Sequence, residues 1–235
     1  MVKLKSFSFK IKNPKKEKSE DAFFICEKEG VFGVADGVGG LREKGIDPGV
    51  FAEELMANCK DTVKTSNERD PMAILKIAYA KIRNDGGATV CIVSLMDNSL
   101  NIFNFGDTKI ILVRNEKIYF SSKEKTHSFN YPYQLGKFND QEKGDKIEDG
   151  DSFKIGLIKG DIVIIGTDGL FDNLFEEEIL KNLKEQAENP AKSLANFALE
   201  NSVSKIKESP FSAKSQGKYF GGKRDDITLI VLNVI

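Results

Sequence analysis

Apolar runs of strand length end, again and again, on an aspartate with glycine beside it. Asp36-Gly37 follows the run ending at Ala35, Gly106-Asp107 the run ending at Phe105, and Asp168-Gly169 the run ending at Gly166. Asp21 and the pair Asp225-Asp226 instead stand just before such runs. If those two strands run antiparallel to the others, every one of these carboxylates falls at one sheet edge. A single Asp-Gly is an ordinary turn. Five acidic positions at strand ends demand a different explanation, because two like charges about 4 Å apart repel by roughly 4 kcal/mol at an effective dielectric near 20.

The runs themselves, at Ala22–Cys26, Val31–Ala35, Thr89–Leu95, Leu100–Phe105, Lys109–Val113, Ile162–Gly166 and Ile227–Val234, are rich in β-branched and aromatic residues. Lys5–Ile11 alternates well enough to be a first edge strand, its lysines opposing stray pairing. Three Asx-Pro pairs, Asp47-Pro48, Asp70-Pro71 and Asn189-Pro190, put a capping side chain before a proline and so start helices. Phe51, Leu55 and Cys59 form one apolar stripe; Ile74, Leu75, Ala78 and Ile82 form another. A third is expected at Ile179, Leu180 and Leu183 after the acidic turn Glu176–Glu178, and a fourth at Leu194 and Phe197. Strands arrive in adjacent groups rather than in β-α-β alternation, so the predicted class is α+β, an antiparallel sandwich flanked by helices, in one domain spanning residues 1–235. The polar stretches Ser121–Asp151 and Lys205–Arg224 read as long surface excursions.

Several functions are excluded at this level. A net charge of −1 gives no basic field for nucleic acid, and no apolar segment approaches a spanning length. Cys26, Cys59 and Cys91 lack CxxC spacing and sit among apolar residues, as reduced core thiols of an intracellular protein do. None has an arginine six residues on, so cysteine-based phosphoester chemistry is out, and no G-x-x-x-x-G-K-[ST] loop is present. Met1 to Lys18 carries seven lysines and one acid but neither a secretory apolar core nor the arginines of a transit peptide.

An edge of carboxylates without histidine or thiolate suits a hard divalent cation, Mg²⁺, Mn²⁺ or Ca²⁺, rather than zinc. Two such ions sharing one carboxylate would acidify a water and clamp the oxygens of an in-line phosphoryl displacement.

The segments Glu20-Asp21-Ala22, Val34 to Gly40, Phe105-Gly106-Asp107, Gly166 to Asn173 and Arg224 to Thr228 occur in the order found in PP2C-type metal-dependent protein phosphatases. Gly45-Ile46-Asp47-Pro48, His127 to Leu135, Ser209-Pro210-Phe211 and Gly221-Gly222-Lys223 resemble the PTC7-like branch of that family. The resemblance implies two antiparallel sheets flanked by helix pairs, and hydrolysis of phosphoserine and phosphothreonine on protein substrates by metal-activated water at a binuclear Mn²⁺ or Mg²⁺ centre. By motif, Asp36 corresponds to the bridging ligand, Gly37 to a carbonyl ligand, and Asp168 and Asp225 to further ligands. Glu20 and Asp21 correspond to groups holding metal-bound waters. The wider family associates a third, weaker ion with positions matching Asp107 and Asp172, and Asp226 replaces a common asparagine.

Two departures stand out. Val38 occupies the position of a histidine proposed in many relatives to protonate the leaving alkoxide, which leaves a metal-bound water or His127 for that task. The usual N-terminal phosphate-gripping arginine has no match, and Arg42, five residues past Gly37, is the substitute candidate. The alternative on this evidence is a pseudophosphatase acting as a regulatory binding module. The resemblance further implies a mitochondrial protein, with the cytoplasm as the other expectation, acting as a monomer on phosphorylated proteins.

Overall fold

Strands that are apolar on both faces have to be covered twice, and this chain covers them with four layers. In the computed structural model, which describes residues 2–139 and 141–235, the first elements are β1 (Leu4–Ile11), β2 (Asp21–Cys26), β3 (Val31–Gly37), α1 (Pro48–Ser66) and α2 (Pro71–Tyr79). Next come β4 (Gly86–Met96), β5 (Ser99–Phe105), β6 (Lys109–Arg114) and β7 (Lys117–Ser121). Four short strands follow, β8 (Thr126–Ser128), β9 (Tyr131–Pro132), β10 (Leu135–Phe138) and β11 (Gln141–Glu142). The remainder is β12 (Asp151–Gly156), β13 (Ile162–Gly166), α3 (Asp168–Phe171), α4 (Glu176–Leu183), α5 (Pro190–Ser202), α6 (Pro210–Lys214) and β14 (Ile227–Val234). Met1 and Asp140, which fall within stretches read above, lie outside the described residues.

One sheet has the order β1-β14-β13-β6-β7; the other runs β11-β10-β4-β3-β2, with β5 beside β4 and β12 beside β5. Their pairings are antiparallel throughout, and β8 pairs with β9 separately. Alternation along the strands divides the interior. Phe32 and Val34 of β3, Cys91 and Val93 of β4 and Ile230 and Leu232 of β14 meet between the sheets. Val31 and Ala35 face the other way, onto Phe51, Leu55 and Cys59 of α1 and Ile74, Leu75 and Ala78 of α2. Leu229 and Val231 pack beneath Ile179 of α4 and Leu194 and Ala198 of α5. The result is the α+β sandwich expected, helices outside and two antiparallel sheets within.

The caps form as the residue types require. Asp47 accepts from Gly49 N, Asp70 from Ala73 N and Asn189 from Lys192 N, each ahead of a proline that needs no helical acceptor. All three cysteines are free and buried. The polar stretch 121–151 is less of an excursion than expected: β10 extends the second sheet beside Gly86, Gly87 and Ala88, and Leu135 is fully buried. Stretch 205–224 likewise contributes α6, capped by Ser209, and the buried Phe211.

Phe32 has no exposed surface and fills the space between the sheets, whereas Phe220 is 80% exposed. Phe32→Ala is therefore expected to lower unfolding free energy by about 3–5 kcal/mol in urea titration, and Phe220→Ala to stay near neutral. Equal midpoints for the two variants would contradict the inter-sheet packing.

Candidate metal centre

Register brings the acidic positions to one edge. Asp21, the first residue of β2, lies opposite Asp36 near the end of β3. In the other sheet Gly166 ends β13 opposite Lys109 and Leu229, so the turn to Asp168, the approach of Asp107 to β6 and the approach of Asp225-Asp226 to β14 all fall at the same end. Thr167 ties the sheets together, its Oγ1 donating to Asp21 Oδ2 at 2.9 Å and its N–H to Thr228 O at 2.9 Å. Two glycines make the approach feasible. Gly106 has φ +92°, a conformation side chains resist, and a Cβ on Gly169 would come within 1.8 Å of Asp226 O.

A cavity of about 670 Å³ opens on this edge, and Glu20, Asp36, Asp107, Asp168 and Asp225 all border it. Gly37, Val38 and Arg42 border it as well. Asp172 lies just outside, buried, and shares a smaller adjoining cavity with Asp107. Asp226 serves structure: it accepts from Asn13 N at 2.7 Å and from Glu20 N at 2.8 Å, pinning both segments to the start of β14.

Burial and crowding set the electrostatics. Burial first, then the carboxylates of Asp168, Asp21, Asp225 and Asp107, pushes Asp36 well above the usual carboxylate range. Burial and Asp168 do the same to Asp107 and, less far, to Asp225. Asp21 rises to about 8 through burial and the charge of Asp226, and Asp172 to about 6, chiefly through burial. Burial is the largest influence on Asp168 too and opposes its ionisation, but the ammonium of Lys223, a hydrogen bond with the Asp36 carboxyl and the charge of Lys16 together hold that carboxyl below its ordinary value.

Three basic side chains offset the charge. Lys223 reaches Asp168 Oδ2, lies 2.9 Å from Asp172 Oδ2 and 3.4 Å from Asp225 Oδ2. Lys16 contacts Glu20, with Asp225 Oδ1 at 2.9 Å and Asp226 Oδ2 at 3.0 Å. Arg42 Nε donates to Glu20 Oε1. With ammonium groups standing among the acids, no three or more His, Cys, Asp or Glu side chains among the described residues form a ready coordination shell. What fits a divalent ion is the donor set and one atom in particular. Asp168, 8% exposed, has Oδ2 engaged by Lys223 while its Oδ1 is buried and reached by no N–H, hydroxyl or ammonium donor. An all-oxygen edge with an orphaned carboxylate oxygen suits a hard cation.

The structure thus gathers Asp36, Gly37, Asp168, Asp225, Glu20 and Asp107 around one cavity, with Asp21 behind Asp36 and Asp172 behind Asp168. Arg42 stands at its rim with 42% of its side chain exposed. His127 does not border it: Nε2 lies 2.9 Å from Asp145 Oδ1, and the ring stacks on Tyr133 at 4.1 Å between centroids. Asp145 also accepts from Gln134 N at 2.9 Å, so the pair pins the short strands β8 and β9, of which Tyr131 and Pro132 reach the cavity instead. Lys16 and Lys223 went unassigned in the sequence, where Lys16 is one of many N-terminal lysines. Lys223 did leave a trace, standing two residues before Asp225 in a glycine-rich turn.

The family model for Stage II sporulation protein E (SpoIIE) matches residues 28–235. The chain is 36% identical to "Probable protein phosphatase 2C 80" of Arabidopsis thaliana, over 98% of its own length and 58% of that protein's. It is 38% identical to "Protein phosphatase PTC7 homolog fig" of Drosophila willistoni, over 92% of this chain and 77% of the other. It thus spans little more than half of the plant relative. The solved structure of the photosystem II phosphatase PBCP superposes with TM-score 0.92 at 34% identity, covering 99% of each chain. The catalytic domain of the serine/threonine phosphatase PstP, solved with two manganese ions, shares the fold at TM-score 0.69 and 16% identity over the whole of both chains.

The raised carboxyl groups give the metal-free protein a definite pH response. A carboxyl whose folded value exceeds its unfolded value holds its proton more tightly when folded, so its contribution favours folding at low pH and is lost as pH rises through the gap. That gap runs from 3.8 to about 8 for Asp21 and to about 6 for Asp172. Asp168 acts oppositely, but only as pH falls below 3.8. In the presence of a chelator Tm is expected to fall as pH rises from about 4 to about 8, as read by circular dichroism. A Tm that climbs across this window would contradict the buried acidic edge.

Proposed function

As the chain belongs to the PP2C family of protein phosphatases, we propose that it hydrolyses phosphoserine and phosphothreonine on protein substrates at a binuclear divalent-metal centre. The observation that carries this reading is the convergence of Asp36, Asp168 and Asp225, from the ends of three strands in two sheets, on one cavity. Asp36, the Gly37 carbonyl, Asp168 and Asp225 would hold the ions, with Glu20 and Asp21 behind them. Bound there, Mn²⁺ or Mg²⁺ would supply an acidified water and neutralise charge on the phosphoryl oxygens.

The chain's own residues do the rest. Asp226 fixes the backbone of Glu20, so that this carboxylate stands beside the cavity rather than in solvent. Lys16 and Lys223 engage both oxygens of Asp225 and one of Asp168, orienting acids that would otherwise turn away from each other. Arg42, at the rim and only partly occupied by Glu20, supplies a planar cation to a phosphate group entering the cavity. Val38 leaves no histidine beside Gly37, and His127 is spent on Asp145, so neither side chain protonates the leaving alkoxide in this reading.

Asp36→Asn and Asp168→Asn are expected to lose Mn²⁺ binding and to cut turnover of a phosphothreonine peptide by about 100-fold or more. Full turnover in either variant would overturn the assignment. A wild-type protein that binds Mn²⁺ yet releases no phosphate from phosphopeptides would instead favour the binding-module alternative. Arg42→Ala is expected to raise KM about 10-fold while leaving kcat near its original value, since it removes a charged hydrogen bond to the substrate. A KM unchanged by Arg42→Ala would return that arginine to the surface.

A further inference from the structure

Lys223 is part of the framework rather than a surface side chain. Its N–H donates to Asn173 Oδ1 at 2.9 Å, and its carbonyl accepts from Asn173 Nδ2 at 2.8 Å. Asn173 is itself buried, its Nδ2 also donating to Gly169 O at 2.9 Å and its carbonyl accepting from Asn201 Nδ2 at 3.0 Å. From this anchor the lysine passes the ring of Phe211, with Nζ 5.4 Å from the centroid, and stays only 17% exposed. The ammonium ends against Asp168 Oδ2, within 2.9 Å of Asp172 Oδ2. Asp107 borders the main cavity with Asp168 and the adjoining one with Asp172, so these three acids flank a common region.

The family resemblance associates a third, weaker divalent ion with the positions of Asp107 and Asp172. In this chain a fixed cation already stands between Asp172 and Asp168. We infer that the Lys223 ammonium takes the seat of that third ion, so that the centre is built for two divalent ions and has no third metal site. The inference rests on the reading of Asp36, Asp168 and Asp225 as a divalent-metal centre.

Three features support it. An ammonium and a divalent cation on the same carboxylate oxygen repel, and Asp172 has a lysine beside each oxygen, Lys223 at 2.9 Å from Oδ2 and Lys214 at 3.7 Å from Oδ1, whereas Lys223 holds one oxygen of Asp168. An ammonium offers three donors and can serve Asp168, Asp172 and Asp225 together. Lys223 also takes up only Oδ2 of Asp168, leaving the buried Oδ1 without an ammonium partner and so open to an ion of the two-ion centre. The lysine therefore both closes one site and orients a ligand of the next.

The test counts bound Mn²⁺ on metal-stripped full-length protein by electron paramagnetic resonance, with isothermal titration calorimetry for affinity. Wild type is expected to bind two Mn²⁺, and Asp172→Asn in the wild-type background to leave that count unchanged. Lys223→Met is expected to gain one weaker ion, lost again in Lys223→Met/Asp172→Asn. A third Mn²⁺ on wild type that Asp172→Asn removes would overturn the inference, as would a folded Lys223→Met that gains none. Should Lys223→Met fail to fold, the Asp172→Asn count on wild type still decides. A wild type that binds no Mn²⁺ would overturn the metal-centre reading and the count of two with it, whereas a third ion on wild type overturns the role of the lysine and leaves that reading intact.

Discussion

Mutual repulsion among buried carboxylates is the constraint around which this molecule is arranged. Eight acids, Glu20, Asp21, Asp36, Asp107, Asp168, Asp172, Asp225 and Asp226, meet at one edge of the sandwich, most of them shielded from water. Like charges in such surroundings either take up protons or acquire counter-charges. Both responses are present. Asp21, Asp36 and Asp107 hold protons above the usual range, while Asp168 stays ionised because an ammonium is locked beside it.

The sandwich makes that edge geometrically possible. Strands covered on both faces leave little choice of register, since a one-residue slip would turn Phe32 and Val34 out of the inter-sheet layer and into the helix layer. Fixed register then fixes where each strand stops. Asp21 opposite Asp36, and Gly166 between Lys109 and Leu229, are consequences of packing far from the cavity. The site's precision is thus borrowed from the core, with Thr167 bonding the two sheets at the point where it matters.

How much of this was legible depended on burial. Central strands such as β3, β13 and β14, apolar on both faces, stand out as unbroken runs whose ends point to Asp36, Asp168 and Asp225, and the end of β5 points to Asp107. β7 and β12 did not stand out. β12 alternates half-buried and exposed residues at the sheet margin, where Phe153 and Ile155 are separated by polar neighbours. Leu135 of β10 is a single buried residue in a polar stretch, too little for any periodic signal. The caps at Asp47, Asp70 and Asn189 were legible because they are local chemistry. His127 was misleading because its partner, Asp145, comes from a turn that sequence does not place nearby. Lys16 was invisible for the same reason: it meets Asp225 and Asp226 only once β14 has taken its place.

β14 occupies the middle of its sheet, pairing with β1 on one side and β13 on the other, although it is the last strand in the sequence. A polypeptide emerging from the ribosome therefore carries Asp36 and Asp168 for some time with a gap where the centre of that sheet belongs. Until β14 fills the gap, β1 has no neighbour in its sheet and the loop bearing Lys16 has no Asp225 or Asp226 to grip. Asp21 and Asp36 can meet through β2 and β3 before then, but the share of the acidic edge that Asp225 and Asp226 contribute is the last to arrive.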